Sequence, residues 1–244
     1  MPRFFVSSET LQGTHAVLDG EQAAHAKVLR LSRGDEVTLC DGAGTDALCR
    51  VDSLSGGQLV LEICSTAPSR SEPKLQCSIY MGFPKADKFE HVIQKATELG
   101  ACELVIFPCS RSVSRPDGKS LAKKLERWQK IAASAAEQSG RGRIPQVLAL
   151  DSFDAAIKRA ASAEFSALFY ENERTRSIRA AVEARPFTTA ALMTGPEGGL
   201  TEQEVLAAQN AGMEVCSLGP RILRCETAPL CALSALLYAA DELG

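Results

Sequence analysis

After Pro73 the sequence alternates short apolar segments with longer amphipathic ones, and this alternation limits the possible folds most strongly. Six apolar segments have the length and composition of strands: Leu75–Met81, Leu104–Phe107, Val147–Leu150, Ala167–Tyr170, Ala190–Met193 and Val215–Leu218. Six segments with apolar residues at helical spacing accompany them: Asp87–Leu99, Ser120–Ser139, Phe153–Ala161, Ser177–Glu183, Thr201–Ala211 and Thr227–Glu242. The alternation predicts an α/β fold with a mostly parallel sheet covered by helices on both faces.

The first 72 residues follow a different pattern, with short strands and one helix. The predicted strands are Arg3–Val6, Glu36–Cys40, Ala47–Val51 and Leu59–Ile63, and the predicted helix is Glu21–Leu31. This pattern favours a small β-barrel. The polar segment Ala67–Pro73 contains two prolines and is typical of a linker. We therefore predict two domains, residues 1–71 and residues 74–244.

Composition excludes several classes of protein. Of the 244 residues, 45% are hydrophobic and 23% are charged, as in soluble globular proteins. No apolar run approaches the roughly 18 residues that span a bilayer, so we expect neither membrane insertion nor secretion. Nine cysteines include no Cys-x-x-Cys pair, and the three histidines are far apart in the sequence. We therefore expect no metal site, no disulfide framework and a cytoplasmic location.

Charge is distributed unevenly along the chain. Residues 1–72 contain 6 Lys and Arg against 10 Asp and Glu, whereas residues 110–145 contain 9 against 3. The basic segment suits a polyanionic partner such as nucleic acid, and a solvated helix face would produce the same pattern.

Two loops rich in glycine and proline follow predicted late strands. The first covers Thr194–Thr201 and the second Gly219–Pro229. Ligands of open parallel sheets bind beyond the carboxyl ends of the strands, and glycines let a backbone approach a ligand closely. Neither loop has the dinucleotide or the P-loop pattern, which weighs against NAD and ATP. A cofactor cradle and a tight strand-to-helix turn both fit the first loop, in which Thr201 and Glu204 predict a capping box.

Five motifs, in order, resemble the ribosomal RNA small-subunit methyltransferase E (RsmE) family of the SPOUT class. They are His25–Leu31, Lys85–Gly100, Trp128–Pro145, Gly195–Thr201 and Leu218–Ala228. The resemblance implies an N-terminal PUA-like RNA-binding barrel and a C-terminal α/β domain with a trefoil knot. It also implies a homodimer that uses S-adenosylmethionine to methylate N3 of a uridine in 16S rRNA of the small ribosomal subunit. We expect the helix Thr227–Glu242 at or near the dimer interface.

The resemblance assigns the cofactor to both loops and to the end of the strand Ala167–Tyr170. The implied cofactor residues are Phe169, Tyr170, Glu171, Thr194, Gly195, Pro196, Gly198, Gly199, Leu218, Gly219, Ile222 and Leu223.

Methylation at N3 of uracil requires loss of the imide proton, so negative charge develops on the base. A planar guanidinium can donate two hydrogen bonds to one edge, which makes Arg224 the first catalytic candidate and Arg221 the second. Glu197, another catalytic candidate, or Glu226 could accept the proton or offset the sulfonium charge, and either could be structural.

Eight residues are candidates for contacts with RNA, mostly through phosphates: His25, Arg30, Lys85, Lys88, Arg111, Arg115, Arg141 and Arg143. Two alternatives to uridine-N3 methylation stay open at this point. One is a methyltransferase of the same fold that acts on a ribose 2′-hydroxyl of rRNA or tRNA. The other is a non-catalytic RNA-binding protein.

Overall fold

The computed structural model describes residues 1–113 and 117–243. The chain forms two compact units, and each is discontinuous in sequence. The first contains Met1–Glu72 and Ala136–Ile144, and the second contains Pro73–Ala135 and Pro145–Gly244. The predicted division into residues 1–71 and 74–244 assigned residues 136–144 to the second domain. In the structure these residues belong to the first unit. Contacts of this segment with Glu72, described below, account for the difference.

The first unit is built on a five-stranded sheet with the order β1-β3-β4-β5-β2. Its strands are β1 (Arg3–Phe5), β2 (His15–Leu18), β3 (Glu36–Cys40), β4 (Thr45–Ser55) and β5 (Gln58–Pro68). The pair β1–β3 is parallel, and the other pairs are antiparallel. Along β4 the residues Ala47, Cys49 and Val51 are buried, which is the period-two pattern of a strand with one face in a core.

The first unit differs from the sequence prediction in several elements, among them a short 3-10 helix, Ser8–Gln12, that was not predicted. Strand β2 was not predicted, because only two of its residues, Ala16 and Leu18, are buried and contribute an apolar signal. The helix α1 (Gly20–Val28) is shorter than predicted and is followed by Arg30 with a φ of +57°. Ala67 and Pro68 belong to β5, where Pro68 pairs with Thr45, so the predicted linker is shorter than expected.

The second unit contains a six-stranded, fully parallel sheet with the order β11-β9-β10-β6-β7-β8. Its strands are β6 (Gln76–Gly82), β7 (Glu103–Phe107), β8 (Gln146–Ala149), β9 (Phe165–Phe169), β10 (Thr189–Thr194) and β11 (Glu214–Cys216). Its helices are α2 (Lys88–Leu99), α3 (Gly118–Gln138), α4 (Phe153–Ala160), α5 (Ile178–Val182), α6 (Glu202–Asn210) and α7 (Ala228–Ala239). The prediction of an α/β fold with a parallel sheet is confirmed.

Burial in the second unit follows from this layered arrangement. All five residues of β9 are buried, as expected for a central strand covered on both faces. Helix α2 buries one apolar stripe that includes Phe89, Val92 and Ile93, and Gly100 ends it in the left-handed conformation. In the described part of the chain, each helix is too short or too polar to cross a lipid bilayer.

Helix α7 packs within the second unit, against α2, α5, β6 and β10. Leu233, Leu236 and Leu237 are fully buried there. These leucines therefore form intramolecular core, and the placement of the helix Thr227–Glu242 at a dimer interface stays a prediction. The opposite side of the helix carries Cys231 and Tyr238, and Tyr238 is 74% exposed.

Candidate functional site

A cleft of about 390 Å³ lies at the carboxyl ends of β9, β10 and β11. These strands are neighbours in the sheet, so the loops that follow them converge at one edge. The volume is within the range of small-molecule sites. All twelve residues that the resemblance assigns to the cofactor line this cleft, as do the catalytic candidates Glu197, Arg221 and Arg224.

The first loop needs a glycine at position 199 for two reasons. Gly199 has a φ of +68°, and a Cβ atom there would lie 2.4 Å from Oε1 of Glu171. A Cβ at Gly195 would lie 3.0 Å from Cγ of Leu200. The sequence suggested that these glycines leave room for a ligand. The structure shows that groups of the protein itself, Glu171 and Leu200, occupy that room.

Two side chains hold the first loop from outside the cleft. Nη1 of Arg111 donates to the carbonyl oxygens of Gly198 at 3.0 Å and Leu200 at 3.3 Å. The carboxylate of Glu204 accepts from the amide of Ser110 at 2.7 Å and from the amide of Thr201 at 2.8 Å. The predicted capping box is confirmed. The guanidinium of Arg111 thus supports the loop through Nη1 and is exposed, and its predicted phosphate contact stays a prediction.

Thr194 supplies an unsatisfied polar atom at the base of the cleft. The residue ends β10 and is 2% exposed, and its Oγ1 has no hydrogen-bond partner among the described residues. A buried hydroxyl of this kind normally has a partner. Since Thr194 also lines the cleft, a polar group of a bound ligand would satisfy it.

Lys88 and three acceptors form a charged cluster in the wall of the cleft. The Nζ atom of Lys88 lies 3.0 Å from Oε1 of Glu197 and 3.3 Å from Oε2 of Glu226. The same nitrogen lies 3.7 Å from Sγ of Cys225. The amide of Lys85 also donates to both oxygens of Glu197, at 3.0 and 3.2 Å.

The pKa values in this cluster favour the charged forms of its ion pairs. Burial alone raises the pKa of Glu197 and Glu226, but hydrogen bonds from backbone amides and Lys88 outweigh it, so both pKa values are lowered. The hydrogen bond with Glu197 raises the pKa of Lys88. Burial and the hydrogen bond to Glu226 raise the pKa of the Cys225 thiol to about 12, so this thiol stays protonated at neutral pH.

Three exposed arginines surround the cleft: Arg174, Arg221 and Arg224. Within residues 1–113 and 117–243, none of these guanidinium groups forms an ion pair with a carboxylate. They are therefore available to anionic groups of a ligand. Arg174 was missed in the sequence, because it lies in the loop after β9 outside every recognised motif.

The remaining RNA candidates lie in different parts of the chain. His25 is exposed on α1, with Nδ1 3.5 Å from Oε1 of Glu137, and Arg30 follows the same helix. Arg143 is exposed in the first unit, and Lys85 is exposed in the second. Arg115 lies outside the described residues.

Arg141 is the clearest correction among the RNA candidates. It is only 3% exposed, and its Nη2 donates to Oε2 of Glu72 at 2.6 Å. The carboxylate of Glu72 also accepts from the amides of Gly142 and Arg143 at 2.9 and 3.0 Å. A guanidinium buried in this way cannot reach a phosphate, so the predicted contact is wrong for this structure.

The described ranges contain no cluster of side chains that could bind a metal ion. No three His, Cys, Asp or Glu side chains there converge in a way that could hold a metal ion. The nine cysteines, all within the described residues, are not joined in disulfides.

Comparison with known proteins assigns the chain that forms this cleft to a family. Residues 71–237 match the RNA methyltransferase domain family, and residues 18–64 match the RNA methyltransferase PUA domain family. The chain is 37% identical to ribosomal RNA small subunit methyltransferase E of Bacillus subtilis (strain 168), across all of this chain and 98% of that one. The chain belongs to the ribosomal RNA small subunit methyltransferase E family.

Solved structures agree with this assignment. The methyltransferase E structure from Neisseria gonorrhoeae, bound to S-adenosylmethionine, is 32% identical and has a TM-score of 0.87, with 98% of this chain and 97% of that one covered. A putative methyltransferase from Legionella pneumophila in complex with S-adenosylmethionine is 29% identical and has a TM-score of 0.84, with 97% of each chain covered. The PUA-like nature of the first unit and the SPOUT-type α/β fold are thereby confirmed. The trefoil knot stays a prediction.

Proposed function

We propose that this chain transfers the methyl group of S-adenosylmethionine to N3 of a uridine in 16S rRNA. The observation that carries the proposal is the convergence of all twelve expected cofactor residues on one cleft at the carboxyl ends of β9, β10 and β11. Membership of the methyltransferase E family, whose Neisseria gonorrhoeae structure is bound to S-adenosylmethionine, supports it.

The residues of the cleft fit this cofactor. The unpartnered hydroxyl of Thr194 offers a hydrogen bond, and the two loops present backbone groups beside glycines. Thr194, Gly195 and Pro196 on one side, with Leu218, Gly219, Ile222 and Leu223 on the other, would hold the cofactor. When bound, S-adenosylmethionine supplies an electrophilic methyl group.

Arg224 stabilises the charge that develops on the uracil. Its guanidinium is exposed at the cleft and forms no ion pair with a described carboxylate, so both edges of its fork are available to the base. Donation to a uracil oxygen lowers the free energy of the deprotonated base at N3. Arg221, in the same loop, is the second candidate for this role.

The N3 proton passes to solvent as the methyl group is transferred, and Glu197 acts electrostatically instead of accepting this proton. Its lowered pKa makes the carboxylate a weak base, and its oxygens already accept from Lys88 and from the Lys85 amide. A permanent negative charge at this wall of the cleft suits a cationic cofactor.

RNA contacts come from exposed cationic side chains of both units. Lys85, Arg30 and Arg143 would contact phosphates, and His25 would contact the RNA from α1. Such contacts provide affinity without reading sequence.

The protein acts as a homodimer in the cytoplasm, where its ribosomal substrate is found. The outward side of α7, with Tyr238 exposed, offers a surface for a second copy. Light scattering at micromolar concentration should give the mass of two chains, and a monomer would refute the dimer.

Mass spectrometry of 16S rRNA tests the proposed reaction. RNA from cells with the protein should contain N3-methyluridine, which should disappear when the gene is deleted and return with the wild-type gene. Loss of a ribose 2′-O-methyl group instead would reassign the target. An unchanged set of nucleosides, with S-adenosylmethionine binding absent in calorimetry, would favour a non-catalytic RNA-binding protein.

A further inference from the structure

Lys88 contacts both of the loops that line the cleft. It is the first residue of α2, and its ammonium lies within hydrogen-bonding distance of Glu197 in the first loop and Glu226 in the second. The two loops are separated in sequence by α6 and β11. The Nζ atom of Lys88 therefore bridges two loops that are distant from each other in the sequence.

We propose that Lys88 is a positioning residue that holds the two cleft loops at the spacing required for S-adenosylmethionine. This inference rests on the proposed function. Lys88 acts through Glu197, which belongs to the first loop, and Glu226, which belongs to the second.

Like-charge repulsion explains why the ammonium is needed. Glu197 and Glu226 approach the same nitrogen, so without Lys88 two carboxylates would face each other across the junction of the loops. Burial raises the pKa of both glutamates, and backbone hydrogen bonds that do not involve the Lys88 side chain lower it. These bonds still favour the ionised carboxylates when Lys88 is removed. Removing Lys88 should therefore push the loops apart.

The surroundings of Lys88 also argue against a direct contact with RNA. An ammonium has three donor hydrogens, and three acceptors surround this one: Glu197, Glu226 and Cys225. The neighbouring carboxylates would repel a phosphate. Lys85 differs, because its side chain is exposed and only its backbone amide contacts Glu197.

Calorimetric titration of the full-length protein with S-adenosylmethionine, without RNA, tests the proposal. We expect Lys88→Met to raise the Kd about tenfold, because it removes a hydrogen-bonded charge. Lys95→Met, a matched lysine of the same helix whose Nζ pairs with Glu98 and not with a cleft loop, should leave this Kd within about twofold. Lys88→Arg should recover part of the affinity, since a guanidinium can also bridge two carboxylates.

Glu226→Gln provides a second and independent variant. Unlike Lys88 and Glu197, Glu226 is not one of the described residues that line the cleft, so this variant changes no side chain of the described cleft lining. The double variant Lys88→Met/Glu226→Gln should bind no more weakly than Lys88→Met alone, which would show that the two residues act as a unit. Thermal unfolding of each variant checks that it is folded.

The outcomes separate this inference from the proposed function. Wild-type affinity in folded Lys88→Met, with weaker RNA binding and a shallower salt dependence, would make Lys88 a phosphate contact and overturn the inference. Additive effects in the double variant would also overturn it. If the wild-type protein itself fails to bind S-adenosylmethionine, the proposed function is wrong, and this inference is wrong with it.

Discussion

Arg141 and Glu72 form a buried ion pair in which Nη2 of the arginine lies 2.6 Å from Oε2 of the glutamate. The two residues are 69 positions apart in the sequence. Because the same carboxylate accepts the amides of Gly142 and Arg143, one side chain fixes three consecutive residues of the segment 136–144.

Arg141→Ala should destabilise the protein by about 3–5 kcal/mol, because it leaves the carboxylate of Glu72 without its charged partner in a buried site. Urea denaturation measures this loss. Arg33→Ala is the matched control, since it breaks the exposed Arg33–Asp52 pair of the same unit and should cost at most about 1 kcal/mol. A wild-type urea midpoint for Arg141→Ala, together with weaker RNA binding, would restore the phosphate contact that the sequence suggested.

Gly199→Ala should weaken binding of S-adenosylmethionine about tenfold, or about 1.4 kcal/mol. The new Cβ would lie 2.4 Å from Oε1 of Glu171, so that carboxylate must move within the cleft. Gly212→Ala controls for backbone strain, because Gly212 has a φ of +93° with nothing within 4 Å of an added Cβ. Both variants should lose about 1–2 kcal/mol of stability from the left-handed conformation. Equal cofactor affinity in the two variants would contradict the role of Glu171.

Arg224→Ala should lower the single-turnover rate at saturating RNA and cofactor by about a hundred- to a thousandfold, the usual effect of losing one preorganised donor. RNA affinity should change little, because the interaction forms only as the uracil loses its proton. Arg224→Lys should not restore the rate, since an ammonium lacks the planar fork. If RNA or cofactor affinity falls while the single-turnover rate is intact, Arg224 is a binding residue.

Glu204→Gln should destabilise the protein by about 1–3 kcal/mol at pH 7, because Glu204 accepts from Ser110 and Thr201. Burial alone raises the pKa of Glu204, but these hydrogen bonds outweigh it and lower the pKa below its ordinary value of 4.5. The stabilisation is therefore present above about pH 4.5 and is lost as the pH falls through the lowered pKa.

Thermal unfolding at several pH values checks the sign for Glu204. The difference in Tm between the wild type and Glu204→Gln should shrink as the pH falls below 4.5. Glu202→Gln, in the same helical turn but exposed, is the control and should show a small difference throughout. A difference in Tm between the wild type and Glu204→Gln that increases as the pH falls would refute the stabilising role of the ionised Glu204.

The cleft could be located from the sequence because its signals are local. Glycine and proline follow the apolar segments that became β10 and β11, and the capping box of Thr201 and Glu204 marks the next helix. Partners that are distant in the sequence give no such signal. In the sequence, Arg141 and Lys88 cannot be distinguished from surface arginines and lysines by their charge. In the structure Arg141 is buried against Glu72, and Lys88 pairs with two glutamates more than a hundred positions away.

Because the segment 136–144 belongs to the first unit while its flanking residues belong to the second, the chain passes between the units three times. No contiguous fragment contains one whole unit without part of the other. Removing residues 1–72, for example, would take Glu72 away from Arg141 and leave 136–144 without its packing partners. A single recombination junction therefore cannot exchange the whole PUA-like unit for another, and an exchange that keeps Glu72 with Arg141 needs further junctions on either side of 136–144.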